Sequence, residues 1–276
     1  MVLHGSGWPL NERHSNGGWW LYFDENNRVS FGMVIDLSYH NPYLSPFDEL
    51  QRLKTHPLIR NILEGGKRLS YGARALTKGG LNSLPKLYFA GGVLVGDDAG
   101  FLNPAKIKGT HTAIKSGMLA AEAVYEAIAA GRQHDEVPTY EQKFKASWLY
   151  NDMYQARNFA NAMHRMGIWM GGAFNFLEQN IFKGKMPLTI RDRMPDYDVL
   201  ERADHAYIPE YPKPDGKLTF DKLSSVFISN TNHAEDQPCH LKLTDPEVPI
   251  KRNLKIFAEP AQRYCPAGVY EVVQSD

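Results

Sequence analysis

Apolar residues at the start of the chain fall in short runs suited to strands. Residues 19–23 read Trp-Trp-Leu-Tyr-Phe, residues 24–27 form a polar turn, and residues 29–36 return as a second β-type run. Val2 to Leu10 enters directly as strand and turn. The pattern then changes to helical spacing. Residues 47–54 and 57–63 predict two short helices, the first started by Ser45 and Pro46. Residues 86–95 (Lys-Leu-Tyr-Phe-Ala-Gly-Gly-Val-Leu-Val) make an apolar run of strand length, expected as one strand buried on both faces. A helix is predicted over residues 110–130, stopped by Gly131, and a second helical stretch over residues 139–182. The Pro-rich stretch 208–216 marks a module boundary. Beyond it, residues 217–273 read as short strands and loops, with residues 268–273 the most strand-like.

Within the second helical stretch, Phe159, Met163, Met166, Met170, Phe174, Leu177 and Ile181 recur at three- or four-residue steps and predict one apolar face. Asn161, Arg165, Asn175 and Gln179 fall largely opposite, and Lys183, Lys185, Arg191 and Arg193 follow. Such a stripe serves either as an ordinary core face or as a surface for one leaflet of a membrane, with the basic residues meeting anionic head groups.

Composition narrows the options. The 276 residues suggest one or two domains, and 43% hydrophobic residues exclude a largely disordered chain. Lys+Arg and Asp+Glu both number 31, so no basic field draws the chain to nucleic acid. Mean hydropathy is −0.43, and no apolar run approaches the ~18–20 residues of a spanning helix. Ten histidines show no metal-ligand spacing, and no nucleophile-elbow motif is present. Cys239 and Cys265 cannot by themselves build a four-thiolate site.

The most informative stretch runs from Val95 to Thr112: Gly96-Asp97-Asp98-Ala99-Gly100, then Asn103, then Gly109-Thr110-His111-Thr112 opening a helix. An acidic turn followed by a glycine-led helix start suits a polyhydroxylated, anionic ligand. Asp97 would accept from sugar-type hydroxyls, and free N–H groups near Gly109 and Thr110 would face negative charge. Glycine would let a flat ring approach the backbone. Ala113, Gly117, Ala120 and Ala121 would allow close packing of the helix on a neighbour. The alternative is a plain strand-to-helix connection in which Asp97 or Asp98 merely caps.

This stretch resembles the second flavin motif of the electron-transfer flavoprotein-ubiquinone oxidoreductase family. The likeness extends through residues 7–10, 41–47, 63–68, 71–76, 211–216, 223–226, 232–233 with 236–238, and 262–271. It implies a mixed α+β and α/β fold: the C-terminal part of a glutathione-reductase-like FAD domain, a β-rich quinone-binding region, a membrane-associated helix and a truncated ferredoxin-like module. The implied segments are 1–85 (quinone-binding region with FAD-domain pieces), 86–207 (FAD domain, with the membrane-surface helix at 159–182) and 208–276 (iron–sulfur module).

The implied function is electron transfer from reduced electron-transfer flavoprotein, through FAD and one [4Fe-4S] cluster, to ubiquinone. The implied place is the bacterial or mitochondrial inner membrane. Gly96 and Asp97 would lie on the ribityl side of FAD, and Asn103, Gly109 and Thr110 near its ring. Gly17 and Gly18, within the segment 13–20, would touch the quinone, with Trp19, Trp20 and Tyr22 as walls. Cys265 would be the first cluster ligand, and Cys239 a packing residue. A glycine turn and a buried thiol are the plainer alternatives for these two sites.

The N-terminal glycine-rich dinucleotide fingerprint and the three later cluster cysteines are absent from the chain, so both ends are expected to be cut. A geranylgeranyl-reductase or FixC-type flavin reductase, or a fragment without activity of its own, are the rival readings.

Overall fold

The computed structural model describes residues 1–10, 15–192, 194–238 and 241–274. The fold mixes helices with small antiparallel sheets, and the chain divides into two compact units: residues 1–73 with 194–276, and residues 74–193.

In the first unit, β1 (Val2–Gly5), β2 (Gly17–Asp24) and β3 (Arg28–Ile35) form an antiparallel sheet in that order, as the alternating runs predict. Two glycines make room for aromatic rings. A Cβ on Gly5 would lie 2.4 Å from the Trp19 ring, and one on Gly32 would lie 2.5 Å from the Trp20 ring. These are the residues paired across the strands, Gly5 with Trp19 and Gly32 with Trp20. Because successive side chains alternate in direction, Trp19 and Trp20 lie on opposite faces and cannot both wall one site. Trp20 and Tyr22 share a face, with ring centroids 5.0 Å apart.

Helices α1 (Pro46–Lys54) and α2 (Pro57–Leu63) follow as predicted. Ser45 caps α1, its hydroxyl accepting from the Asp48 N–H, and Pro46 opens it. The expectation of strands in 217–273 fails among the described residues. That segment instead forms α7 (Lys222–Phe227), a π-helical turn (Pro249–Leu254) running into α8 (Lys255–Phe257), and α9 (Ala261–Tyr264). Asp221 caps α7 by accepting from the Ser224 N–H at 2.8 Å, which commits the segment to a helix start. In residues 268–273 no ladder forms, and the Val272 N–H donates to the Gln262 side chain at 3.2 Å.

In the second unit, the expected buried strand over 86–95 is instead a minimal hairpin, β4 (Tyr88–Phe89) and β5 (Gly92–Val93). Gly91 turns it at φ +79°, a conformation that glycine adopts without penalty. Phe89 is exposed, so the run is not buried on both faces. The core gathers Leu87, Phe101, Leu119, Tyr140, Phe144 and Leu149 around α3 (Thr110–Ala129) and α4 (Pro138–Ala146). Burial pushes the Tyr140 hydroxyl up to about 12, and it donates to the Leu94 carbonyl at 3.1 Å.

The single helical stretch expected over 139–182 is broken into α4, α5 (Trp148–Gln155) and α6 (Phe159–Asn180). Ser147 leaves the helix with extended dihedrals. Gly167, at φ +70° and ψ −179°, then turns α6 back on itself. Two contacts fix the two arms antiparallel, Asn175 Nδ2 to Phe159 O at 2.9 Å and Asn158 Nδ2 to Glu178 Oε1 at 2.6 Å, and Gln179 Nε2 ties the second arm to Gln155 O of α5 at 3.0 Å.

The predicted apolar stripe is therefore wrong as one face. Asn161 and Asn175, expected to face water, are buried between the arms with Ala162, Gly171 and Glu178. Met170, Leu177 and Ile181 are exposed. Arg157 anchors the loop that follows. Its five N–H donors reach Thr189 Oγ1 and the carbonyls of Tyr154, Gly184, Met186 and Leu188, and its plane lies 3.9 Å from the Tyr154 ring centroid.

The arms touch most closely at Gly171, where a Cβ would lie 2.7 Å from the Ala162 carbonyl oxygen. Gly171→Val is expected to loosen the hairpin by about 1–3 kcal/mol, the usual cost of overpacking. Amide hydrogen exchange would then speed up in residues 159–180 and leave the α3–α4 core protected.

Candidate functional site

In the second unit, the acidic turn is clasped to the first turns of α3. Gly96 is buried at φ +63°, and its N–H donates to Ser116 Oγ at 3.0 Å. Its role is to make the turn, and its donor is already occupied. Thr112 Oγ1, buried one turn earlier on the same face, donates to the carbonyls of Phe101 and Gly109. Asp97 is half-exposed, with Arg74 Nη2 at 3.7 Å from its carboxylate and 3.8 Å from that of Asp98. An exposed pair of this kind contributes roughly 0–1 kcal/mol, so the Asp97 oxygens remain open to a hydroxyl-bearing ligand.

The N-terminus of α3 has no side-chain cap. A Cβ on Gly109 would meet only Leu102 side-chain atoms and the Phe101 oxygen, at 3.7–3.9 Å. Core packing therefore does not demand glycine there, and Thr110 is exposed. Asn103 is almost fully buried and turned inward. Its Nδ2 donates to Asp152 Oδ2 at 2.8 Å, and its Oδ1 accepts from the N–H groups of Ala105 and Lys106. Its amide shapes the loop before α3. Asp152 also receives Lys106 Nζ and lies 3.4 Å from His111 Nε2. Burial works against the Asp152 charge, yet the donors Lys106, Asn103 and His111 hold its carboxyl below the ordinary value.

In the first unit, Gly17 has φ +148°, and a Cβ there would stand 2.1 Å from the Val34 oxygen. A Cβ on Gly18 would stand 2.5 Å from the Gly5 oxygen. Both glycines are thus required by the sheet itself. Their N–H groups differ in direction. Asp36 N donates to Asn16 O at 3.0 Å, so ladder alternation gives Gly18 the next bonds to β3 and turns the Gly17 N–H toward the β1 side. There β1 has already ended at Gly5. Arg13 and His14 lie outside the described residues, as does Cys239.

Cys265 is buried just after α9. Burial raises its thiol, but the N–H groups of Val269 (3.4 Å from Sγ), Ala267 and Gly268, with the Lys222 ammonium, bring it net below the ordinary value. Lys222 Nζ also donates to the Cys265 carbonyl at 3.0 Å. The surroundings therefore favour thiolate, the form that binds iron. Among the described residues no group of three or more metal-ligating side chains occurs.

The sequence reading missed Ser116, Thr112 and Asp152. The first two had a signal: Thr112, Ser116, Ala120, Ala123 and Ala127 step at three and four residues and mark the buried stripe of α3. Gly117 and Ala121, read as packing residues, lie away from it; a Cβ on Gly117 would meet nothing within 4 Å, and Ala121 is exposed. Asp152 arrives from a different helix and had no local signal.

Comparison with known proteins bears on the family of the chain. The family description "ETF-QO, ubiquinone-binding" matches residues 1–76, and "Electron transfer flavoprotein-ubiquinone oxidoreductase, 4Fe-4S" matches residues 216–276. The electron transfer flavoprotein-ubiquinone oxidoreductase of Pseudomonas aeruginosa is 62% identical over 277 residues, covering 100% of this chain and 50% of that protein. The probable one of Acinetobacter baylyi is 61% identical over 291 residues, covering 99% of this chain and 51% of that protein. The human mitochondrial one is 47% identical over 280 residues, covering 99% of this chain and 45% of that protein. The chain thus spans about half the length of the curated relatives it matches, and it belongs to the electron transfer flavoprotein-ubiquinone oxidoreductase family.

Proposed function

We propose that this chain is part of a membrane-associated oxidoreductase that passes electrons from reduced electron-transfer flavoprotein, by way of FAD and a [4Fe-4S] cluster, to ubiquinone. The observation that carries this reading is the pair of matches, ubiquinone-binding over 1–76 and 4Fe-4S over 216–276, on either side of an uncapped, glycine-led helix. The 4Fe-4S match also favours it over a geranylgeranyl-reductase or FixC-type reductase.

Residues 86–207 would act as the C-terminal part of a glutathione-reductase-like FAD domain. The open Gly109 position and the uncapped α3 fit a flavin. FAD, when bound, supplies a ring that takes up electrons and releases them one at a time. Asp97 offers carboxylate oxygens to ribityl hydroxyls. The first N–H groups of α3, from Thr110 on, favour negative charge beside them by ~0.3–1 kcal/mol, or up to ~2 when partly buried. Gly96 and Asn103 act indirectly, by holding the turn and the loop in place. No side chain need act as acid or base for the electron steps. Cys265 is one thiolate for a cluster that takes four, and the described residues do not hold the other three.

For the quinone, the Gly17 N–H is the donor suited to a carbonyl, while Gly18 shapes the strand. In glycine-labelled chain, ubiquinone-1 is expected to shift the Gly17 amide resonance more than that of Gly18. If neither moves while other amides do, the quinone sits elsewhere.

Residues 159–182 would meet the membrane as a hairpin. Among the described residues no helix is long and apolar enough to cross a bilayer. Trp169 at the turn is 88% exposed, and Met170, Phe176, Leu177, Ile181 and Phe182 are exposed along the same segment. Small and polar residues fill the space between the arms, an arrangement suited to a hairpin resting in one leaflet of a bacterial or mitochondrial inner membrane. Trp169→Glu is expected to weaken co-sedimentation with phosphatidylglycerol-containing vesicles about tenfold, from the ~1.5–3 kcal/mol that burying a large side chain contributes. Unchanged binding would remove the hairpin turn from the contact.

The Cys265 thiol is expected to titrate below a free cysteine. In a chain carrying Cys239→Ser, so that one thiol remains, Lys222→Gln should move its midpoint upward. Thiolate absorbance near 240 nm reads this directly, and an unmoved midpoint would leave the backbone N–H groups as the cause.

A further inference from the structure

The first unit carries a cluster of side chains that electron transfer does not use. Lys54, at the end of α1, is half-buried, with Nζ 5.1 Å from the Phe220 ring centroid. The guanidinium of Arg68 lies 3.9 Å from the same centroid, held by Ser225 Oγ at 2.7 Å and Ser224 Oγ at 3.1 Å. Two cations therefore share one ring. Lys54 donates to Gln51 Oε1 at 2.9 Å, a neutral oxygen that also accepts the Phe220 N–H at 3.0 Å.

The nearby carboxylates are already engaged. Asp215 Oδ1 accepts from the N–H groups of Lys217, Leu218 and Thr219, and Asp221 accepts from the N–H and hydroxyl of Ser224. Burial first, then the Arg68 charge, brings the Lys54 ammonium down to about 8, against the opposing pull of Asp215.

We infer that Lys54 is a site of acylation by phosphate-bearing activated acyl donors, with the Arg68 guanidinium over the same ring as the anion-attracting and amine-activating group. The donors share one chemistry, an acyl group on a good leaving group within an anionic molecule, and come from two sources: acyl phosphates and thioesters of phosphorylated carriers. The neutral amine attacks the carbonyl carbon. A C–N bond forms, the C–O or C–S bond breaks with its electron pair leaving on phosphate or thiolate, and the ammonium proton passes to water. No oxidant or reductant is needed.

With a midpoint near 8, about a quarter of Lys54 is neutral at pH 7.5, against roughly a thousandth for an ordinary lysine. The weaker intrinsic nucleophilicity of a less basic group, taking the ~0.4–0.5 Brønsted slope known for thiolates, gives back roughly tenfold of that. The net advantage is roughly 15- to 25-fold.

The test treats the full 276-residue chain with acetyl phosphate in one arm and acetyl-coenzyme A in the other, at matched concentrations, and reads each lysine by peptide mass spectrometry. Lys54 should be labelled roughly 15- to 25-fold faster than Lys213 and Lys217 at pH 7.5 in at least one arm, and the faster arm identifies the donor class. Its rate should rise with pH and level off above about 8.5, whereas those lysines keep climbing. Arg68→Gln, with its fold checked by near-ultraviolet circular dichroism, should slow Lys54 several-fold at pH 7.5 and move the levelling-off upward. Labelling no faster than that of the two exposed lysines in both arms, or a rate still climbing past pH 9.5 in the unsubstituted chain, overturns the inference whether or not the variant folds.

Discussion

The candidate flavin site depends on a clasp made by two small hydroxyls. Thr112 and Ser116 lie one turn apart on the buried stripe of α3, and between them they engage Phe101 O, Gly109 O and the Gly96 N–H. A hydroxyl that donates back to the carbonyl three residues earlier normally competes with the helix. Here the same atoms fasten the acidic turn to the helix start, so Asp97 and the unsatisfied N–H groups of α3 are presented by one rigid piece. Capping α3 with a side chain would have satisfied those N–H groups and closed them to a ligand. The missing cap and the buried clasp are thus parts of one design: the turn is secured from inside while its outward face stays open.

Glycine recurs where two elements come closer than a side chain permits or where the backbone must turn, and the consequences differ. At Gly5 and Gly32 it yields space to an indole across the strand pair, one on each face of the sheet. At Gly167 it permits a reversal, and at Gly171 it permits the contact that the reversal creates. The hairpin so formed inverts the usual order. Asn158, Asn161, Asn175 and Glu178 are inside, while large apolar side chains are outside. Glu178 Oε2 and Asn175 Oδ1 are buried without a hydrogen-bond partner, each costing on the order of 1–3 kcal/mol.

What could be read from the sequence was local. The first three strands, α1, α2 and α3 follow from runs, caps and stop signals that lie within a few residues of one another. The Ser45-Pro46 start and the Gly131 stop both behave as their chemistry dictates. The failures are long-range or hinge on one residue. The Phe159–Ile181 stripe has regular helical spacing, yet a single dihedral pair at Gly167 divides it into two arms with different neighbours. Residues 86–95 have the composition of a central strand, but the Gly-Gly pair folds them into a hairpin. Arg157 and Asp152 organise whole loops through partners 27–49 residues away, a separation at which pattern carries no information. The family resemblance reached further than periodicity because it drew on the ordered succession of many short strings. It named Asn103 for its position, and the structure adds that its amide is turned inward.

Most of the perturbed ionisable groups pack the core or hold turns and caps. Tyr39 and Tyr140 are both pushed up to about 12 by burial, which makes them neutral packing elements across the physiological range. Asp135, Asp204, Asp215 and Asp221 are held low by local donors, as turn and cap residues are. A general acid–base pair would need neighbouring groups pushed apart toward neutrality. The groups drawn toward neutrality here, the Lys54 ammonium and the Cys265 thiol, stand in different settings and make different chemistry possible. Beside Cys265, backbone N–H groups and one cation favour a thiolate, which suits a metal ligand. At Lys54, burial and a like charge favour a neutral amine, which suits a nucleophile. Both sites lie in one unit, yet their partners differ: Gln51, Arg68 and Phe220 surround the half-buried Lys54, whereas Lys222 and the N–H groups of Ala267, Gly268 and Val269 surround Cys265.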